Sequence, residues 1–135
     1  MPDLIALAAT ADNNGIVDVV GAPAAAAAGG AGAFAVATAN VGAGGLITVS
    51  PDTGSAPLPL TLTICQTNPS MGTCISAIGP SVNVQINAGE TPTFAVFVLS
   101  QGPIAFDPAN SRVFARYKDQ AGAVRGATSV AVRTP

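Results

Sequence analysis

The apolar residues of this chain recur at every second position. Val82, Val84 and Ile86 alternate with Ser81, Asn83, Gln85 and Asn87, and Leu60, Leu62 and Ile64 alternate with Thr61, Thr63 and Cys65. A period of two is that of a strand with one face in a core, not of a helix. Phe34 and Val36 alternate with small alanines. Val124, Thr128, Val130 and Val132 share one parity, and Arg125, Ser129 and Arg133 the other. The run Phe94 to Leu99 is apolar on both parities, which predicts a central strand covered on both faces. Eleven prolines and fifteen glycines leave no room for a long helix. The one helix-friendly patch, Ala24 to Ala28, is stopped at once by Gly29-Gly30.

Turn chemistry separates the runs. Asp12-Asn13-Asn14-Gly15, Asn40-Val41-Gly42, Asn68-Pro69-Ser70, Asn87-Ala88-Gly89 and Asp119-Gln120-Ala121-Gly122 all carry turn signals. Asp107-Pro108-Ala109-Asn110 suits a type I turn. The expected strands are 4–10, 16–20, 33–41, 59–66, 73–77, 82–87, 92–99, 112–118 and 124–132, with Leu46 to Ser50 a candidate short edge strand. Seven to nine short strands at this spacing predict one all-β domain over 1–135, an antiparallel immunoglobulin-like sandwich.

Composition excludes several functions. The chain has no His and no Trp. Chemistry that needs imidazole is therefore out of reach, and two cysteines alone do not make a zinc site. The seven acids are scattered, with no pair placed for acid–base work. No enzyme activity, cofactor or metal is expected. Asp12, Asn13, Asn14 and Asp18 offer calcium-type oxygens, but Gly15 comes too early for an EF-hand and no Glu closes the loop. An Asx-rich turn capping its own backbone is the expected reading. A net charge of −2, with five cations and no aromatic platform, does not suit nucleic acid. Carbohydrate binding lacks its usual aromatic shelf. Val19 to Ala39 is uncharged but mostly Ala and Gly, too weakly apolar for a spanning helix, so no direct membrane insertion is expected. Met1-Pro2-Asp3 lacks the basic start of a signal peptide. Export would then imply a removed leader or one unit of a longer chain.

Cys65 and Cys74 are the most informative pair. A hairpin looped over Asn68 to Met71 sets Thr67 opposite Gly72 and Cys65 opposite Cys74, within disulfide reach. Two free thiols of a cytosolic protein and a redox pair are the alternatives. A redox pair would lack a C-x-x-C spacing and an activating cation. A structural disulfide implies an oxidising, extracellular compartment.

Charge is unevenly spread. Residues 1–111 hold six acids and no cation, and residues 112–135 hold five cations and Asp119. Strand parity puts Arg112, Phe114, Arg116 and Lys118 on one face, joined by Arg125 and Arg133 from the next strand. This stripe is either a solvated outer face or a docking strip for an acidic surface, such as the turn around Asp3, Asp12 and Asp18 of a neighbouring copy. Between Asp52 and Glu90 there is no charge at all, a surface suited to packing against a like module.

Three segments resemble a known family. Phe34-Ala35-Val36-Ala37-Thr38-Ala39-Asn40-Val41-Gly42 is similar to the strand and N-x-G turn of bacterial immunoglobulin-like modules of the CARDB type. Val84 to Phe94, with its Asn87-Ala88-Gly89-Glu90 turn, is similar to their strand–turn–strand element, and Arg112 to Thr128 to their closing hairpin. The resemblance spans about residues 33–132. The long stretch from Gly44 to Leu58 and the cysteine hairpin are not part of that pattern. It implies a structural or adhesive module of a tandem-repeat cell-surface protein, linked to neighbouring copies or other domains. An adhesin using its loops for an unknown ligand is the second expectation. A fibre subunit pairing its N-terminal strand (Leu4 to Ala11) with another chain is the third.

Overall fold

A computed structural model describes residues 2–11, 13–19, 30–54, 57–102 and 104–134. Among the described residues nine strands are formed: β1 (Leu4–Ala9), β2 (Ile16–Asp18), β3 (Ala31–Asn40), β4 (Gly45–Asp52), β5 (Leu60–Thr67), β6 (Val82–Ile86), β7 (Thr93–Ser100), β8 (Arg112–Lys118) and β9 (Val124–Arg133). They make two sheets. The first has the order β1-β3-β7-β5 and the second β2-β9-β8-β4-β6. All their pairings are antiparallel except β2 with β9, which run parallel. The β-sandwich read from the periodicity is therefore the observed fold. The Ala24–Ala28 patch lies outside the described residues.

Alternation explains the two layers. On β3, Phe34, Val36 and Thr38 point inward and the intervening alanines outward. On β8, Val113, Ala115 and Tyr117 are buried between half-exposed neighbours. The inner faces meet in a core rich in Val and Ile, with Phe94 set edge-on to Tyr117 at 5.8 Å between ring centres. Inside this core the Tyr117 phenol hydrogen-bonds Thr38 Oγ1, joining β8 of one sheet to β3 of the other. No buried side-chain polar atom among the described residues lacks a partner.

Three expectations are corrected. Leu46 to Ser50 is not an edge: β4 lies between β8 and β6, with Ile47 and Val49 fully buried. Its Pro51 is accommodated because β6 pairs only as far as Val49, so no ladder bond is wanted on that side. The 73–77 strand is replaced by a loop with isolated bridges at Thr67–Cys74 and Ile64–Gly79. Ser76 Oγ takes the Gln66 N–H, and Ile75 and Ile78 are exposed, so no apolar face pins a strand there. Finally, β7 is central but not covered on both faces, since Leu99 is 42% exposed on the outer side.

Asn40, the last residue of β3, is buried and tied four ways. Its Nδ2 donates to Ala43 O (2.9 Å) and to Ile86 O (3.1 Å). Its Oδ1 accepts from Gly42 N (3.0 Å) and Asp3 N (3.2 Å). Its backbone accepts from Gly89 N and donates to Glu90 O. The turn after β6 is closed by Gly89, at φ +80°, and by Glu90 Oε1 accepting from Asn87 N. Two of the three segments that resemble CARDB-type modules thus meet at one joint.

Asn40→Ala removes the side-chain donor to the buried Ile86 carbonyl and three further bonds at the corner, and a loss of about 2–4 kcal/mol is expected in urea unfolding. A second expectation concerns pH. Burial raises the Tyr117 phenol from its ordinary value near 10 to about 12, against the lowering effect of the Thr38 bond. The folded value lies above the unfolded one. The stabilisation is therefore complete below about pH 10 and lost as pH rises through about 12. Alkaline unfolding should coincide with the rise of phenolate absorbance, rather than follow it.

Candidate functional site

The cationic stripe sits where parity placed it. Arg112, Phe114, Arg116 and Lys118 line the outer face of β8, all half-exposed. The β8–β9 register sets Arg116 opposite Ala127, Phe114 opposite Ser129 and Arg112 opposite Ala131. Arg125 stands beside an irregularity at Tyr117/Lys118, and Arg133 lies beyond the other end.

Most of this charge is answered within the chain. Arg116 Nε meets Asp52 Oδ2 at 2.7 Å, tying β8 to β4. Arg133 Nε meets Asp18 Oδ1, tying β9 to β2. Arg125 Nε meets Asp119 Oδ2 at 2.7 Å across the closing turn. The Asp119 carboxyl is held below its usual range by Arg125 first and then by the Ala123 N–H. Arg112 donates to Ser129 Oγ and Pro108 O. The Phe114 ring lies under the Arg116 guanidinium, 4.6 Å from its centre, and Gly54 is a close neighbour. Lys118 has no ion pair among the described residues. Asp18, expected to meet a neighbouring copy, is engaged by Arg133 of its own chain.

The N-terminal turn caps itself. Asn14 Oδ1 accepts from Ile16 N at 3.0 Å, and Thr10 Oγ1 accepts from Gly15 N at 3.0 Å. Asn13 takes the left-handed conformation at φ +57°. Asp12 lies outside the described residues.

Cys65 and Cys74 form a disulfide, with Cα atoms 5.7 Å apart. The register differs from the expected one. Thr67, not Cys65, is the bridge partner of Cys74, so the disulfide is diagonal. The cause is the loop. Asn68 Oδ1 accepts from Ser70 N and Met71 N, and Gly72, at φ +73°, returns its N–H to Asn68 O. That widens the loop to Asn68–Thr73, closed by Asn68 N donating to Thr73 O. Cys65 is buried on β5, whereas Cys74 is exposed. The bond therefore clips an exposed loop to a sheet edge.

Two concavities among the described residues lie near these features. A cleft of about 410 Å³ opens between this loop and the β6–β7 turn, with Gln66, Gln85, Glu90 and Thr91 among its walls. A shallow depression of about 460 Å³ lies on the outer face of the first sheet, floored by Ala33, Ala35 and Ala95. Neither was legible in the sequence, because both depend on which strands become neighbours.

Removing the disulfide by Cys74→Ser should cost about 2.5–3 kcal/mol by loop-closure entropy. Chemical unfolding with and without reductant measures this. Arg116→Gln, at an exposed ion pair, should cost under about 1 kcal/mol and less at high salt.

No family model matches the chain, and no curated protein does. Among solved structures the chain is similar to a conjugative transposon lipoprotein from Bacteroides eggerthii, at 9% identity and a TM-score of 0.45, covering 93% of this chain and 92% of that one. It is also similar to the N-terminal domain of PorA, at 9% identity and 0.48, covering 96% of each. A β-glucosidase from Listeria innocua aligns at 12% identity and 0.38, over 97% of this chain but 16% of the enzyme. Likenesses of this size carry no functional argument.

Proposed function

We propose that this chain is a non-catalytic structural module of an exported protein, built to sit beside like modules. The observation that carries this reading is the use made of its polar groups. Three arginines are spent on ion pairs inside the chain, Asn40 on a corner and Tyr117 on the core. No cluster of three or more metal-type ligands exists among the described residues. Export rests on the disulfide, whose exposed Cys74 would meet cytosolic reductants. The similarity to CARDB-type modules supports the same reading through the Asn40 joint, and would make the natural partners neighbouring copies or adjacent domains.

A second reading has an observation of its own. The cleft beside Glu90 falls in the size range of small-molecule sites and has polar walls. A loop-borne ligand site, as in an adhesin, would use it. One measurement separates the two. Thermal melts are recorded against a panel of sugars, amino acids and short peptides. The structural reading expects an unchanged Tm throughout. A rise of several degrees that disappears in Gln85→Ala and Thr91→Ala would favour the ligand-binding module instead.

A further inference from the structure

The four strands of the first sheet contain no charged residue. The second sheet carries Asp18, Asp52 and all five cations. The outer face of the first sheet is apolar on β1, β3 and β7, while β5 presents Thr61 and Thr63 there. Ile5 and Leu7 of β1 are 58% and 71% exposed, and Leu99 of β7 is 42% exposed. The relief of this face is uneven. Ile5 and Leu7 stand opposite Ala39 and Ala37 and form a ridge along β1. Phe97 and Leu99 stand opposite Ala33 and Ala31 and form a second ridge on β7. Between them Ala9, Ala35 and Ala95 are paired in one row across three strands. That row lies in the 460 Å³ depression, with Phe97 and Gly72 at its sides.

We infer that a second copy of this chain docks on this face, with the Ile5–Leu7 ridge of each copy seated in the alanine depression of the other. Ridge and depression lie side by side on the same surface: Leu7 stands opposite Ala37, and Ala35 in the depression is one same-face repeat further along that strand, about 7 Å. A two-fold arrangement then fills both at once, as an isologous contact requires. Charge agrees, because two uncharged faces meet without stranding an ion, whereas a charged partner would be desolvated without recompense. Asp3, just before β1, stays at the rim, where its backbone is held by Asn40 and Val41.

Size sets the strength. Three strands about 4.8 Å apart and some eight residues long present an apolar face of roughly 400 Å². A standard interface buries about 800 Å² per partner. The contact is therefore weak between free copies and becomes effective when copies are tethered or arrayed. The inference rests on the module reading above and names its surface.

Sedimentation equilibrium of the full chain, up to about 1 mM, tests it. Reversible dimerisation is expected. Leu7→Lys and, separately, Ala35→Glu should each weaken it at least tenfold, with melting temperatures close to that of the unaltered chain. An equimolar mixture of the two variants should associate again, since the ammonium introduced on the ridge of one copy then meets the carboxylate introduced in the depression of the other. Lys118→Gln, on the second sheet, should change nothing. A chain monomeric over the whole range overturns the inference. So does a dimer indifferent to Leu7→Lys and Ala35→Glu, or one lost in Lys118→Gln. A face that instead takes up an apolar surface such as lipid vesicles would leave the chain monomeric in this assay and would likewise overturn it. Failure of the module reading would show elsewhere, as a ligand-dependent Tm at fixed protein concentration.

Discussion

Everything in this sandwich turns on the buried side chain of Asn40. A core of Val, Ile and Phe is cohesive but has little to say about register, because apolar surfaces slide at small cost. An amide with donors and acceptors fixed in space is different. Its Nδ2 reaches Ala43 O in the corner and Ile86 O at the end of β6, while its Oδ1 takes the N–H groups of Gly42 and Asp3. The approach to β1, the β3–β4 corner and the end of β6 are thereby referred to one residue. Two positions earlier on the same strand, Thr38 binds Tyr117 across the core. Together these groups set how one sheet lies over the other, and a mismatch at either would bury a polar group unpaired.

The division of charge follows the division into sheets. Each ion pair links elements of the second sheet or closes its hairpin: β8 to β4, β9 to β2, and the β8–β9 turn to β9. The first sheet has no such links among the described residues and relies on its ladder, the core beneath it and the disulfide at its β5 edge. One side of the molecule is thus internally neutralised and hydrated, and the other is neutral by composition.

How much of this could be read beforehand depends on range. The strands showed in the sequence because alternation is local, and β6 and β8 lie almost where Val82–Ile86 and Arg112–Lys118 put them. The cysteine pair was legible because both partners sit in one hairpin. Its register was not, since the αL glycine at 72 and the Asn68 caps add residues to the loop. The interior place of β4 was hidden by Gly45 and Pro51, which read as loop residues until β6 and β8 are seen to flank the strand. The stripe was visible as parity, but its neutralisation was not. Asp18 and Arg133 are 115 positions apart, and only the parallel β2–β9 pair joins them. The apolar face could not be read for the same reason: three separate uncharged strands become a surface only once they are neighbours.

That parallel pair bears on how the module would carry tension. Leu4 packs against Gly126 near the start of β9, and Arg133 ends the same strand at the far pole. A pull along the chain therefore acts down the long axis of the sandwich. Because β2 and β9 run the same way, a pull that reaches β2 through β1 draws the pair past each other in shear. Gly15 O with Ala131 N, and Arg133 O with Val19 N, are then strained together rather than in succession. Strands parting from one end would lose their bonds singly. Here the Asp18–Arg133 pair and the flanking backbone bonds give way as a group. The short β2, three residues long, would act as a catch holding the fold shut under load.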